Sequence, residues 1–141
     1  MAYNDLLWDK VADYAENCPW KAGVILSKTM KNQGFSDWER VFVALLDNNI
    51  VGYCTLSKKD CIPNVTYTPY ISFLFVDEQF RGKRISEKLC VHVAKYAKTV
   101  GFKNIYLVSD HVNLYEKYGF TKIDEGLATW GVMQTIFMRS T

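Results

Sequence analysis

The stretch from Tyr70 to Gly101, YISFLFVDEQFRGKRISEKLCVHVAKYAKTVG, leaves this chain few folds to choose from. Ile71 to Val76 is an unbroken apolar run of strand formers, the pattern of a buried strand. A short turn follows (Asp77, Glu78, Gln79, Phe80), and then a basic loop, Arg81-Gly82-Lys83-Arg84. From there Ile85, Leu89, Val93 and Ala97 recur at every fourth position, which predicts an amphipathic helix ended by Gly101. Strand, cationic loop and helix in that order build a phosphate cradle. The first N–H groups of a helix have no partner within it, its dipole favours an anion there, and the loop's cations stand beside that end.

The charge distribution points the same way. Arg81 to Lys103 carries seven basic residues against one acid, a net +6, in a chain whose total is only +2, so the remainder is net −4. A solvated helix face explains part of this excess, but it begins where an anionic ligand would sit. A small polyanion fits such a patch. Nucleic acid does not, because it would need the basic surface to continue across a remainder that is acidic.

The elements around this stretch follow in order. Asn4 or Asp5 can cap a first helix with Leu7, Trp8, Val11, Ala12 and Ala15 on one side. Pro19 suits the first turn of a second helix that includes Val24, Leu26 and Met30 and stops near Gly34, with Gly23 as a weak point inside it. Trp38–Asp47 and Ile50–Ser57 read as a hairpin turning at Asn48-Asn49. Lys58–Pro69 is a loop, with a strand start expected at Val65-Thr66-Tyr67. After the helix, Lys103–Ser109 is a strand, and a crossover of this kind makes it a parallel neighbour of the Ile71–Val76 strand. Asp110–Gly119 reads as a sharp turn and a helix of about two turns, and Thr121–Leu127 with Val132–Arg139 as a closing antiparallel pair. The expectation is an α/β fold in one domain, residues 1–141: a mixed sheet of about six strands with helices on both faces.

Other classes are excluded or given little support. No apolar run approaches the ~20 residues of a membrane span, and the N-terminus lacks the basic head of a signal peptide. Cys18, Cys54, Cys61 and Cys90 form no C-x-x-C pair, so free thiols in a cytoplasmic protein are expected rather than disulfides or a metal site. His92 has no ligand partner at metal-binding spacing.

Two motifs carry a resemblance to a known family. Arg81-Gly82-Lys83-Arg84-Ile85-Ser86 matches the pyrophosphate loop Q/R-x-x-G-x-G/A, with Arg84 and Ser86 at the two positions the pattern keeps small. Leu114-Tyr115-Glu116-Lys117-Tyr118-Gly119-Phe120 matches LYEK-x-GF. Each is weak alone; in this order, after these strands, the chain from Trp38 onward resembles the GNAT superfamily of acyl-CoA-dependent N-acetyltransferases.

That resemblance implies a function and a set of roles. The co-substrate would be acetyl-CoA, with no metal, and the acceptor a small-molecule or peptide amine. The amides of Arg81, Gly82, Lys83, Arg84, Ile85 and Ser86 would hold the pyrophosphate, with Arg84 pointing away from it or joining as a cation. Phe75 and Val76 would offer backbone groups to the pantetheine arm, and Asn113 would join the cofactor-binding set. Tyr115 would give its proton to the leaving thiolate. His111 is the best candidate base for the attacking amine, although a turn histidine facing water explains it as well. The acceptor would enter between the N-terminal helices and the Lys58–Pro69 loop, past Trp8, Trp38, Tyr67 and Tyr70, although core packing explains these aromatics equally well. Family members begin with an edge strand that this chain lacks, which makes a homodimer across a sheet edge a candidate assembly. A catalytically silent CoA-binding or interaction module on the same fold is the alternative.

Overall fold

The computed structural model describes residues 8–18, 21–32, 35, 38–60, 62, 66–110 and 114–141. Its elements run α1 (Trp8–Asn17), α2 (Lys21–Lys31), β1 (Arg40–Leu46), β2 (Asn49–Ser57), β3 (Tyr70–Val76), a 3-10 turn (Glu78–Phe80), α3 (Ile85–Val100), β4 (Asn104–Ser109), a second 3-10 turn (Tyr115–Tyr118), β5 (Thr121–Leu127) and β6 (Met133–Ser140). The six strands form one mixed sheet in the order β1-β2-β3-β4-β6-β5. The chain divides into two compact units, Met1–Thr55 with Phe73–Leu89, and Leu56–Ser72 with Cys90–Thr141.

The first unit is built on α1 and α2. The spacing of Trp8, Val11, Ala12 and Ala15 buries one stripe of α1, as its sequence predicts. These residues pack with Leu26, Met30, Val41, Tyr53 and Phe75 in a single apolar cluster. Trp8 therefore belongs to the core instead of lining an entrance, and its indole N–H donates to the Met30 carbonyl at 3.1 Å. Gly23, a weak point by helix propensity, is what lets α2 approach α1: a Cβ there would lie 2.2 Å from the Ala15 carbonyl oxygen. Val24 is exposed, while Leu26 and Met30 are buried. The predicted caps Asn4, Asp5 and Pro19 and the stop at Gly34 lie outside the described residues.

The hairpin turns one residue earlier than its sequence suggests. Asp47 and Asn48 both carry positive φ, +51° and +66°, as a two-residue type I′ turn requires. Phe73 is a third left-handed residue, at +51° inside β3.

The second unit holds the parallel pair expected from the crossover. Tyr70 aligns with Tyr106 and Ile71 with Leu107. β4 pairs antiparallel with β6 from Asn104–Ser140 to Ser109–Thr135, and β5 closes the sheet on β6 with an irregularity between Lys122 and Asp124. Tyr70 is core. Thr66 and Tyr67 form no strand; the Tyr67 hydroxyl instead donates to Asp124 at 2.9 Å. The helix expected after Asp110 is, among the described residues, the single turn Tyr115–Tyr118, closed by Gly119 in the left-handed conformation at φ +88°.

Candidate functional site

The end of β3 and the loop after it are fixed by a short series of backbone and side-chain bonds. The Asp77 N–H reaches the Val51 carbonyl of β2 at 2.8 Å, and Phe80 N–H returns to the Asp77 carbonyl at 2.9 Å. The Asp77 carboxylate caps this turn, accepting the Gln79 N–H at 3.1 Å. Arg81 folds back, its Nε donating to the Val76 carbonyl at 3.1 Å. Lys83 lays its ammonium over the Phe80 ring, 5.5 Å from the centroid.

Two residues of the loop take left-handed conformations, Gly82 at φ +81° and Arg84 at φ +61°. Arg84 stands at the position the pyrophosphate-loop pattern gives to glycine, and its backbone adopts the conformation glycine favours. Its side chain is 78% exposed and its Nε lies 3.5 Å from Glu87 Oε1. The Arg84 carbonyl accepts the first intrahelical bond of α3, from Lys88 N–H at 3.1 Å. The N–H groups of Ile85, Ser86 and Glu87 thus precede the helical ladder, at the positive end of the helix dipole. Arg81, Gly82, Lys83 and Arg84 are all exposed. A Cβ built on Gly82 meets nothing within 4 Å. Exposed cations, open space over the glycine and a helix N-terminus are a donor set that suits a phosphate anion.

The second unit holds Tyr115, on the 3-10 turn after β4. It is 7% exposed and packs among Tyr118, Phe120 and Phe137, with ring centroids 6.0, 6.2 and 5.8 Å away. Burial, with a smaller push from the Cys90 thiol, raises its phenol pKa to about 12, against an opposing hydrogen bond with Ser109. Its phenol stays neutral throughout the ordinary pH range.

Of the residues singled out by sequence, Phe75, Val76 and Arg81 to Ser86 lie together at the β3–α3 junction of the first unit, and Tyr115 lies in the second. The Phe75 carbonyl lies against Gly52 of β2, where a Cβ would approach it to 2.7 Å. His111 and Asn113 lie outside the described residues. Sequence reasoning missed Tyr14, whose hydroxyl donates to Asp77 Oδ2 at 3.1 Å, a pairing across 63 positions that no local pattern signals. Tyr14 and Asp77 also wall an open cleft of about 540 Å³ that reaches to Asn48 and Asn49.

Among the described residues, Cys18, Cys54 and Cys90 are free thiols, and no group of three metal-binding side chains converges. No described helix is long and apolar enough to cross a membrane.

Comparison with known proteins bears on the same residues. The model of the acetyltransferase (GNAT) family matches residues 3–120. Acetyltransferase Atu2258 of Agrobacterium fabrum is 39% identical over 57 residues, which is 38% of this chain and 42% of that protein. The chain thus matches less than half the length of that curated relative. Among solved structures, an aminoglycoside 6′-acetyltransferase type Ii superposes with a TM-score of 0.73 at 18% identity, covering 99% of this chain and 94% of the other. A GNAT family acetyltransferase from Elizabethkingia anophelis with acetyl-CoA bound gives 0.64 at 18% identity, covering 87% and 84%. At such identities these structures establish the fold.

Proposed function

The chain belongs to the GNAT acetyltransferase family, and we propose that it moves the acetyl group of acetyl-CoA to a primary amine by direct attack on the thioester. The observation that carries this reading is Arg84: at the family's glycine position it holds φ at +61° with its side chain turned out to Glu87. A bulky residue there leaves the path of a pyrophosphate to the loop amides clear.

In this reading the N–H groups of Arg81 to Ser86 bind the pyrophosphate, backed by the charges of Arg81 and Lys83. Phe75 and Val76 orient the pantetheine arm, with Asn113 beside it. Acetyl-CoA supplies an activated acyl carbon and a thiolate leaving group. The Val76 N–H stabilises charge gathering on the acyl oxygen, a role whose loss typically costs ~3 kcal/mol. Tyr115 donates to the sulfur. With its pKa near 12 against ~8.5 for a thiol, full transfer in advance is uphill by about 5 kcal/mol. Tyr115 therefore works as a hydrogen-bond donor that yields its proton only as the sulfur gains charge. His111 accepts the proton of the amine, unless the amine has a pKa near 8 and needs no base.

The reaction asks nothing of a metal, and the proposed setting is the cytoplasm. The acceptor is a small molecule or peptide, with no nucleic acid and no membrane involved. Strands β1 and β5 are the outer strands of the sheet, and pairing of two copies along such an edge is part of the same proposal; light scattering that returns a monomer removes it.

The test is an acetylation screen of amines with mass detection: amino acids, polyamines, aminoglycosides, peptide N-termini and lysine side chains, each with acetyl-CoA. A product 42 Da heavier, dependent on the protein, supports the proposal. CoA binding without any acetylated product, and without thiol release, would favour the silent CoA-binding module instead.

A further inference from the structure

The loop that would hold the pyrophosphate is anchored from outside itself, and the anchor is Asp77. Its N–H is engaged by the Val51 carbonyl of β2. Its two carboxylate oxygens serve different elements. Oδ1 accepts the Gln79 N–H and closes the turn leading into the loop. Oδ2 accepts the hydroxyl of Tyr14, on the second turn of α1. Four residues beyond Asp77, Arg81 returns its guanidinium to the Val76 carbonyl, so the Asp77–Arg81 turn is bonded to β2 at one end and to the last residue of β3 at the other.

Tyr14 is a rigid partner in this arrangement. Its ring stands edge-on to Tyr53 with centroids 6.1 Å apart and tilted over Phe75 at 6.4 Å. Tyr53 and Phe75 stack at 5.3 Å, and the Tyr53 hydroxyl meets the Cys18 sulfur at 3.4 Å, one helical turn beyond Tyr14. Three rings from α1, β2 and β3 thus fix where the Tyr14 oxygen points. Burial first, and then its bond to Asp77, push the Tyr14 phenol pKa well up, so it remains protonated and a donor.

We infer that Tyr14 is a positioning residue for the pyrophosphate loop: through Asp77 it holds the turn from which the Arg81–Ser86 amides are presented. The inference rests on the reading that this loop binds the CoA pyrophosphate. Two left-handed residues, Gly82 and Arg84, make the loop's geometry one of several of comparable energy. A loop freed at Asp77 would sample the others and be re-ordered on binding, a cost that appears in affinity and not in the chemical step.

The experiment measures CoA binding by titration calorimetry for the unaltered protein, Tyr14→Phe, Asp77→Ala and the double variant, with thermal melting on each. Tyr14→Phe is expected to weaken CoA about fivefold and Asp77→Ala by at least as much, since Asp77→Ala also removes the Gln79 cap; the double variant should bind no more weakly than Asp77→Ala, because the Tyr14 bond is already lost there. Amide exchange at Gln79, followed by NMR without ligand, is expected to quicken in Tyr14→Phe. With an amine acceptor in hand, KM for acetyl-CoA rises and kcat holds. A folded Tyr14→Phe protein with CoA affinity within twofold of the unaltered one overturns the inference, as do additive losses in the double variant. An unaltered protein that does not bind CoA sinks the loop's assignment itself; the Gln79 exchange rates then report separately on whether Tyr14 orders the turn.

Discussion

Arg84 turns its guanidinium onto Glu87, one turn into α3, with Nε 3.5 Å from Oε1. Arg84 is exposed and Glu87 half-buried, so the pair is worth about 0.2–1 kcal/mol. Its significance is directional: the side chain turns to Glu87 while the backbone holds the left-handed conformation at φ +61°.

Replacing Arg84 by glycine tests this directly. The left-handed conformation costs a non-glycine residue ~1–2 kcal/mol, while glycine gives up ~0.5–1 kcal/mol in backbone entropy. Arg84→Gly should therefore match or slightly exceed the parent in urea denaturation and bind CoA at least as tightly. Arg84→Val, with a branched Cβ that tolerates positive φ poorly, should lose about 1 kcal/mol or more and weaken CoA.

Tyr115→Phe should lower turnover about tenfold or more while leaving CoA affinity within about twofold. Equal turnover in the variant would remove Tyr115 from the proton-donor role. Stability carries a second signature. The folded-state pKa is raised to about 12, above ~10 in the unfolded chain. The contribution is thus full below pH 10 and lost as pH rises from 10 to 12, where the unfolded state releases the proton first. Tyr115→Phe should flatten the alkaline fall in melting temperature over that window; an unchanged fall contradicts the burial of the phenol.

Gly52→Ala should disturb the site from behind. The new methyl would lie 2.7 Å from the Phe75 carbonyl oxygen and 3.4 Å from the Val76 Cα, and because the obstruction is backbone, β2 and the end of β3 must separate. A loss of ~1–3 kcal/mol on denaturation is expected, with weaker CoA binding in the protein that remains folded. Unchanged stability would mean that β2 shifts without cost.

For His111→Ala, the pH–rate profile is the measurement. An acidic limb set by the imidazole should disappear in the variant; a limb that stays in place assigns the proton to another acceptor.

How far the sequence foretold all this depended on whether the signal was local. The β3–loop–α3 junction was legible to within a residue, because an apolar run and a four-residue spacing are read over consecutive positions. The hairpin was legible but its turn was not: Asp47, Asn48 and Asn49 all tolerate positive φ, so three adjacent residues offer two equivalent turns. Gly23 looked like a defect in α2, since propensity knows nothing of the Ala15 carbonyl pressing on it. Trp8 and Tyr70, candidates for an entrance, are core, because an aromatic side chain carries the same sequence signal in either place. The Arg81–Ser86 loop was legible only as a motif; that Arg84 adopts the glycine conformation is a property of its backbone. Tyr14 and Asp77 were invisible as a pair for want of any rule linking positions so far apart.

The exposed cations of the Arg81–Arg84 loop also bear on kinetics. Three exposed positive side chains form a local field that a polyanionic donor feels before it touches the protein. At ~0.15 M salt this field reaches about 8 Å, and such steering raises encounter rates well above those of neutral partners. If this loop binds CoA as proposed, the on-rate for CoA should fall steeply with ionic strength while its off-rate changes little.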